Sequence, residues 1–100
     1  NLVTVDLSGN CISNLYSLQY ADCRFTITDL NLSGNRLEDI TPLSYLQNIE
    51  RLDVSYNDIS SELPFMAMYS LESLNLTGNP LTDEQVELIR KNLPNCDVIF

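Results

Sequence analysis

Acidic side chains are concentrated in one part of the sequence where their oxygens could act together. The densest group is Glu50, Asp53 and Glu72, with Arg51 supplying one positive charge among them. Carboxylates in such a group can accept hydrogen bonds from lysine or arginine side chains, or bind a cation. Calcium needs about six or more converging oxygens, which side chains on flat strands seldom provide. We therefore expect no metal site here and regard a basic protein surface as the better candidate ligand.

Enzymatic chemistry is disfavoured by what the chain lacks. Its 100 residues include no histidine, which excludes histidine-based metal sites and Ser-His or Cys-His catalysis by this chain alone. The three cysteines, Cys11, Cys23 and Cys96, show no C-x-x-C spacing. No phosphate-binding loop is visible. We predict a protein that is not an enzyme and carries no cofactor.

The charge balance narrows the class of partner. A net charge of −9 argues against a nucleic-acid backbone or an anionic membrane as partner. It fits a protein partner with a basic patch, but solubility alone also explains the charge, and we favour that interpretation. No stretch approaches the length of a membrane span, so we expect no membrane insertion.

A repeated pattern of apolar residues and one asparagine positions these polar groups. In the copy that runs from Ile49 to Ile59, apolar residues occupy places one, four, six and eleven, and Asn57 occupies place nine. Four copies share this pattern, starting at Leu2, Ile27, Ile49 and Leu71. The later steps are equal in length, and the first step is longer.

The pattern L-x-x-L-x-L-x-x-N-x-L resembles the leucine-rich repeat family over nearly the whole chain. The resemblance implies an α/β solenoid with a parallel β-sheet on its concave face. The later step, about 22 residues, is short for this family. It leaves room on the convex face for only one or two turns of 3₁₀ or α structure. Pro42, in the segment Ile-Thr-Pro-Leu, marks the start of one such turn. This segment is similar to the 22-residue repeats of the internalins.

The asparagine column is predicted to be structural. A buried carboxamide can bond the backbone of its own turn and that of the next turn. The column comprises Asn10, Asn35, Asn57 and Asn79.

Polar residues between the apolar positions of each strand should form columns on the concave face. The template gives a central column of Asp6, Asn31, Asp53, Asn75 and Asp97. It gives a second column of Thr4, Asp29, Arg51 and Ser73, and a third of Val3, Thr28, Glu50 and Glu72. The central column either binds a partner or only pairs laterally while hydrated, and we favour the second reading. If the face binds, we predict these contacts: Asp29, Asn31, Glu50, Arg51, Asp53, Tyr56, Glu72 and Asn75.

Tyr56 stands out because it replaces a glycine. The other repeats have Gly9, Gly34 and Gly78 at this place. An exposed aromatic side chain at a strand end could anchor an interface. It could equally pack over the neighbouring loop, and the sequence leaves both readings open.

The end of the chain departs from the repeat. Thr82 and Gln85 form a capping-box pair, which predicts an α-helix from Asp83 to Asn92. Its apolar face is expected to comprise Val86, Leu88, Ile89 and Leu93. The following Leu93–Val98 segment repeats the strand template, with Cys96 as a buried thiol in a leucine position. We expect Ile99 and Phe100 to cover the open end. This ending resembles the C-terminal cap of bacterial leucine-rich repeat proteins.

Cys11 is expected to be exposed, and a Cys11–Cys23 bridge is an open alternative. The sequons at Asn31 and Asn75 are weak matches, because the repeat produces them by default.

The leading functional interpretation is a non-catalytic module that binds a protein partner on its concave face. We interpret residues 1–100 as one leucine-rich repeat domain with a cap over about 80–100, cut from a longer chain. The resemblance to internalins implies a secreted or surface bacterial protein. Two alternatives remain, namely an intracellular adaptor similar to the phosphatase regulators and a purely structural terminal cap. The sequence indicates neither the ligand nor the oligomeric state.

Overall fold

The computed structural model describes residues 3–15 and 26–100, and it contains one parallel β-sheet. The strands are β1 (Val3–Asp6), β2 (Ile27–Asn31), β3 (Arg51–Asp53), β4 (Ser73–Asn75) and β5 (Asp97–Ile99). They lie side by side in chain order, each parallel to the next. Each repeat therefore contributes one strand and returns along the other side of the molecule, so the predicted solenoid is confirmed. The enlarged part of the first repeat falls outside the described residues.

The core is a continuous stack between the sheet and the returning segments. Leu30, Leu52 and Leu74 pair in register across three strands and are all buried. Behind the sheet, every third residue of the second repeat is at most 2% exposed: Leu37, Ile40, Leu43, Leu46 and Ile49. Each repeat buries its apolar side chains against its neighbours, so stability comes from stacking.

The convex face carries the short helical turns expected from the short repeat step. Two 3₁₀ helices span Thr41–Tyr45 and Leu63–Ala67, each with proline in its first turn. Met68 fills the core, at 4% exposure. Leu63 is apolar but 71% exposed. It begins its 3₁₀ helix as Thr41 begins the other, at a position that faces solvent.

Helix α1 spans Asp83–Asn92, the predicted range. Its capping box is formed, with Gln85 N donating to Thr82 Oγ1 at 3.2 Å and Thr82 N donating to Gln85 Oε1 at 2.8 Å. Val86 and Ile89 are buried, but Leu88 is 47% exposed and does not belong to the apolar face. Leu88 lies two residues after Val86, which is about 200° around the helix.

Strand β5 pairs in a different register from the one the template predicts. Leu74 pairs with Val98 and Asn75 pairs with Ile99, whereas the template placed Cys96 and Asp97 there. The step from Leu74 to Val98 is thus longer than the step from Leu52 to Leu74, because helix α1 and the turn after it use more chain than a 3₁₀ segment. Three predictions were therefore wrong. Cys96 does not occupy a leucine position, Asp97 does not belong to the central column, and Ile99 lies on the sheet rather than over its end.

Side chains of helix α1 donate hydrogen bonds to the last strand and to the preceding repeat. Gln85 Nε2 donates to Ser60 O at 2.9 Å, and Asn92 Nδ2 donates to Met66 O. Arg90 Nη2 donates to Val98 O at 3.2 Å. The C-terminal helix and strand thus act together as the predicted cap.

Candidate protein-binding surface

The asparagine column ties each turn to the one before it. Asn57 Nδ2 donates to Val54 O of its own turn at 2.9 Å and to Leu32 O of the preceding turn at 3.0 Å. Its Oδ1 accepts from Leu37 N at 3.0 Å, again in the preceding turn. The column therefore bonds backbone groups between turns, but the prediction that the next turn is bonded was wrong. Outside its own turn, the backbone groups that Asn57 reaches belong to the preceding repeat.

The other members of the column differ according to their burial. Asn35 and Asn79 are 7% and 8% exposed and repeat the bonds of Asn57 to the preceding turn. Asn10 is exposed, and its Nδ2 donates only within its own turn, to Leu7 O and Ser8 O. Within the described residues, bonds to a preceding turn are made by Asn35, Asn57 and Asn79.

The central column has a local structural role that the template did not reveal. In four strands, the side-chain Oδ1 accepts a hydrogen bond from the backbone N–H two residues later, at 3.0 to 3.1 Å. The pairs are Asp6 with Ser8, Asn31 with Ser33, Asp53 with Ser55, and Asn75 with Thr77. These are Asx turns, which explain why only Asp and Asn occur here. Asp or Asn followed two residues later by Ser or Thr was the available signal.

The Asx turns also affect the charge of the column. The backbone N–H and then the hydroxyl of Ser8 donate to Asp6 and lower the pKa of its carboxyl group. Ser55 Oγ likewise donates to Asp53 Oδ1 at 2.6 Å. Within the described residues, the hydrogen bonds of the Asp53 side chain use Oδ1 alone, which leaves its second oxygen available to another donor.

The second column contains the basic residue of the face. Arg51 Nη1 lies 3.1 Å from Asp29 Oδ1 and 3.6 Å from Glu50 Oε1. The hydrogen bond to Asp29, followed by the charges of Asp29, Glu72 and Glu50, raises the pKa of Arg51. Because both side chains of the main pair are partly exposed, it contributes little to stability. Asp97 joins this column through its pairing with Ser73.

The third column provides less surface than the template implied. Thr28 is buried at 9% exposure, and the side chain of Val3 lies outside the described set. Glu50 is half-buried and Glu72 is exposed.

The columns enclose a shallow depression of about 320 Å³ on the concave face. Its lining includes five predicted contact residues: Asp29, Asn31, Arg51, Asp53 and Asn75. Glu50, Glu72 and Tyr56 lie outside this lining. Ile99 lines it as well, and the template missed this residue because it assigned the wrong register to β5.

Tyr56 combines a strained backbone with an exposed ring. Its φ angle of 55° matches the left-handed conformation of Gly9, Gly34 and Gly78 at the equivalent places. A Cβ atom on Gly78 would overlap Cδ1 of the Tyr56 ring, so the ring packs directly over that glycine. The ring thus rests on the neighbouring loop, which is one of the two readings that the sequence left open. With 64% of its surface exposed, Tyr56 is still accessible, and its role as a contact remains a prediction.

Neither Cys11 nor Cys96 lines this depression. Cys11 is exposed, as expected, and has no disulfide partner within the described residues, whereas Cys23 and any bridge to it lie outside them. Cys96 is also free but only partly buried, and burial, followed by the charge of Asp97, raises the pKa of its thiol. Across residues 3–15 and 26–100, no group of three His, Cys, Asp or Glu side chains could hold a metal ion. No helix in that part of the chain is long and apolar enough to cross a membrane.

Sequence comparison finds relatives in several eukaryotes. The chain is 44% identical over 62 residues to the human leucine-rich repeat- and IQ domain-containing protein 1, covering 58% of this chain and 4% of that protein. It is 33% identical over 85 residues to receptor-like protein 32 of Arabidopsis thaliana, covering 83% of this chain and 10% of that one. The chain therefore spans only a small part of these relatives.

Similar solved structures come from bacteria. A leucine-rich repeat protein of Leptospira interrogans superposes with a TM-score of 0.79 at 28% identity, covering 94% of this chain and 24% of that one. Internalin C2 of Listeria monocytogenes shares the fold with a TM-score of 0.77 at 24% identity, covering 95% of this chain and 39% of that one.

The repeats themselves match a family model described as "Leucine Rich repeat". The matched segments are residues 1–15, 25–40, 45–62 and 70–89, which together exceed half of the chain. Their boundaries follow the strands β1 to β4 and the turns after them. The chain belongs to the leucine-rich repeat family.

Proposed function

We propose that this chain binds a protein partner through its concave face, with Asp53 at the centre of the contact. Membership of the leucine-rich repeat family supports a protein-interaction module. The single observation that carries the proposal is the depression lined by the central and second columns, where polar side chains from β1 to β4 converge. Stacked repeats offer such an extended curved surface without an enclosed pocket.

Charge supports a basic partner. Arg51 pairs with Asp29 and Glu50, which leaves Asp53 and Glu72 with no ion pair within the described residues. A lysine or arginine of the partner could reach the second oxygen of Asp53 while the first continues to hold the Asx turn. Complementary charge of this kind speeds association and selects against acidic partners. The proposed contact set keeps all eight predicted residues, with Tyr56 as an aromatic anchor at the edge.

The proposal extends to the cellular setting, for which two alternatives have support. A secreted or surface bacterial protein has support in the fold shared with internalin C2. A eukaryotic protein, adaptor or otherwise, has support in the identity with the human sequence. A signal peptide encoded upstream in the parent gene favours the first setting over an intracellular adaptor, and its absence favours the second.

A pull-down with this chain as bait tests the proposal, using variants on the concave face and a control variant elsewhere. Asp53→Asn removes the charge but keeps an Oδ1 acceptor for Ser55, and Asp53→Lys reverses the charge. Glu38→Lys makes the same reversal at an exposed position on the other side of the molecule, where Glu38 lines a convex depression. Tyr56→Ala removes the exposed ring.

We expect both Asp53 variants and Tyr56→Ala to capture less of the partner than the unaltered chain does. Asp53→Lys should capture the least. Glu38→Lys should capture as much as the unaltered chain. Affinity that is unchanged in all three concave variants would refute the concave site. No captured partner under any condition would instead favour the terminal-cap alternative.

A further inference from the structure

Strand β5 contributes an apolar side chain to the central column, where the other strands contribute polar ones. Its members in the structure are Asp6, Asn31, Asp53, Asn75 and Ile99, because β5 pairs with Asn75 through Ile99. Ile99 is 48% exposed although it lines the concave depression. An exposed aliphatic side chain among polar ones in a depression is the arrangement that a partner's apolar residue would cover.

Backbone bonds hold Ile99 in this position. Leu76 N donates to Ile99 O at 2.7 Å, and Asp97 N donates to Glu72 O at 2.9 Å, so β5 is paired at both ends. Arg90 bonds the carbonyl of Val98. The side chain of Ile99 is therefore presented from a fixed strand, which limits the entropy that binding must remove.

We propose that the partner segment is extended and carries a basic side chain for Asp53 beside an apolar side chain for Ile99. This inference rests on the proposed function and defines its ligand more closely. Asp53 and Ile99 lie in the same column two strands apart, which corresponds to about 10 Å at the usual strand spacing. A polyproline II segment rises about 3.1 Å per residue with three residues per turn, so positions i and i+3 face one side at this separation. The partner motif is a basic residue and an aliphatic residue three positions apart.

A random 12-residue peptide library displayed on phage tests the motif, with the full chain as bait. Selection on the unaltered chain should enrich a basic and an aliphatic residue three positions apart. Ile99→Ser as bait should lose the aliphatic preference and keep the basic one, whereas Asp53→Asn should do the reverse. Leu88→Ser is the matched control, since Leu88 is an aliphatic residue of similar exposure on helix α1. It should select the same peptides as the unaltered chain.

Direct titration of a selected peptide gives the size of the effect. By fluorescence anisotropy, Ile99→Ser should weaken binding about tenfold, the value expected when an aliphatic contact is lost. Leu88→Ser should leave binding unchanged, and thermal melts should show that both variants are folded.

The outcomes separate the two proposals. Basic enrichment without an aliphatic preference, or an aliphatic preference that survives Ile99→Ser, overturns the Ile99 contact and leaves the concave site intact. Equal enrichment at all spacings overturns the three-residue motif. Two outcomes overturn both the Ile99 contact and the concave site. One is that no basic peptide is selected, and the other is that Asp53→Asn as bait selects basic peptides as strongly as the unaltered chain does.

Discussion

The asparagine column and the central column contain similar residues that have different roles. Asn31 and Asn35, or Asp53 and Asn57, lie only four residues apart and recur with the same step. Asn57 is 5% exposed and its side chain bonds two successive turns, whereas the side chain of Asp53 bonds only its own turn and has one oxygen without a hydrogen bond. Burial decides the difference, because a buried backbone group without a partner costs far more than an exposed one.

This contrast teaches where mutation should affect folding and where it should affect binding. The strand-end turns, which include the asparagine and glycine columns, connect neighbouring repeats. The concave columns are held locally and can exchange charge with little effect on the fold. The following substitutions test that division.

The largest effect is expected from Asn57→Ala, which leaves Leu37 N without its partner. It also removes one of the two carboxamide donors to each of Leu32 O and Val54 O, which keep the bonds from Asn35 and Asn79. Leaving the buried Leu37 N unpaired and removing these two bonds should cost about 1–3 kcal/mol of unfolding free energy. Asn10→Ala is the matched control and should cost about 0.5 kcal/mol or less, because its exposed partners can bond water. Urea denaturation measures both, and equal losses would remove burial as the distinguishing cause.

A somewhat smaller effect is expected in the glycine column. Gly78→Ala forces a side chain into a positive φ and pushes against the ring of Tyr56, for a loss of up to about 2 kcal/mol. Gly9→Ala has the same backbone problem but no atom within 4 Å of the new Cβ, so about 1 kcal/mol is expected. Thermal or urea unfolding gives the difference. Adding Tyr56→Gly to Gly78→Ala should restore part of the loss, and no restoration would contradict the packing of the ring.

The smallest effect should come from the concave face. Asp53→Asn should change stability by less than about 0.5 kcal/mol, since Asn31 and Asn75 make the same Asx turn with a carboxamide. Asp53→Ala removes the acceptor for Ser55 and should cost about 1 kcal/mol. If urea denaturation showed Asp53→Asn to be as harmful as Asp53→Ala, the negative charge itself would be structural. The separation between the two columns would then fail.

Much of this arrangement could be predicted because it depends on local, repeated patterns. The period of apolar residues predicted the strands and the core of the second repeat. Thr82 and Gln85 predicted helix α1 with its bounds, since capping depends on residues within one turn. The polar columns on β2 to β4 lie where the template put them because those repeats share one step length. Their role in binding remains a prediction.

Apart from that of Leu88, the failures concern distances that local patterns do not encode. Leu88 was assigned to the wrong face because apolar character was given more weight than helix geometry. The bonds of Asn57 run to the preceding turn because of how successive repeats stack. The contact between Tyr56 and Gly78 requires a ring from one repeat to reach the backbone of the next.

The sequence by itself determined the repeat, the parallel sheet, the structural asparagines and the capping helix. The physical reason is that each follows from which residues are apolar, or can cap, within a short window. Only the tertiary structure decided which residue completes the central column. The identity of that residue depends on the number of residues in helix α1 and in the turn after it, because this number sets which residue of β5 pairs with β4. Because this segment is longer than the template allows, Ile99 and not Asp97 pairs with Asn75 in the central column.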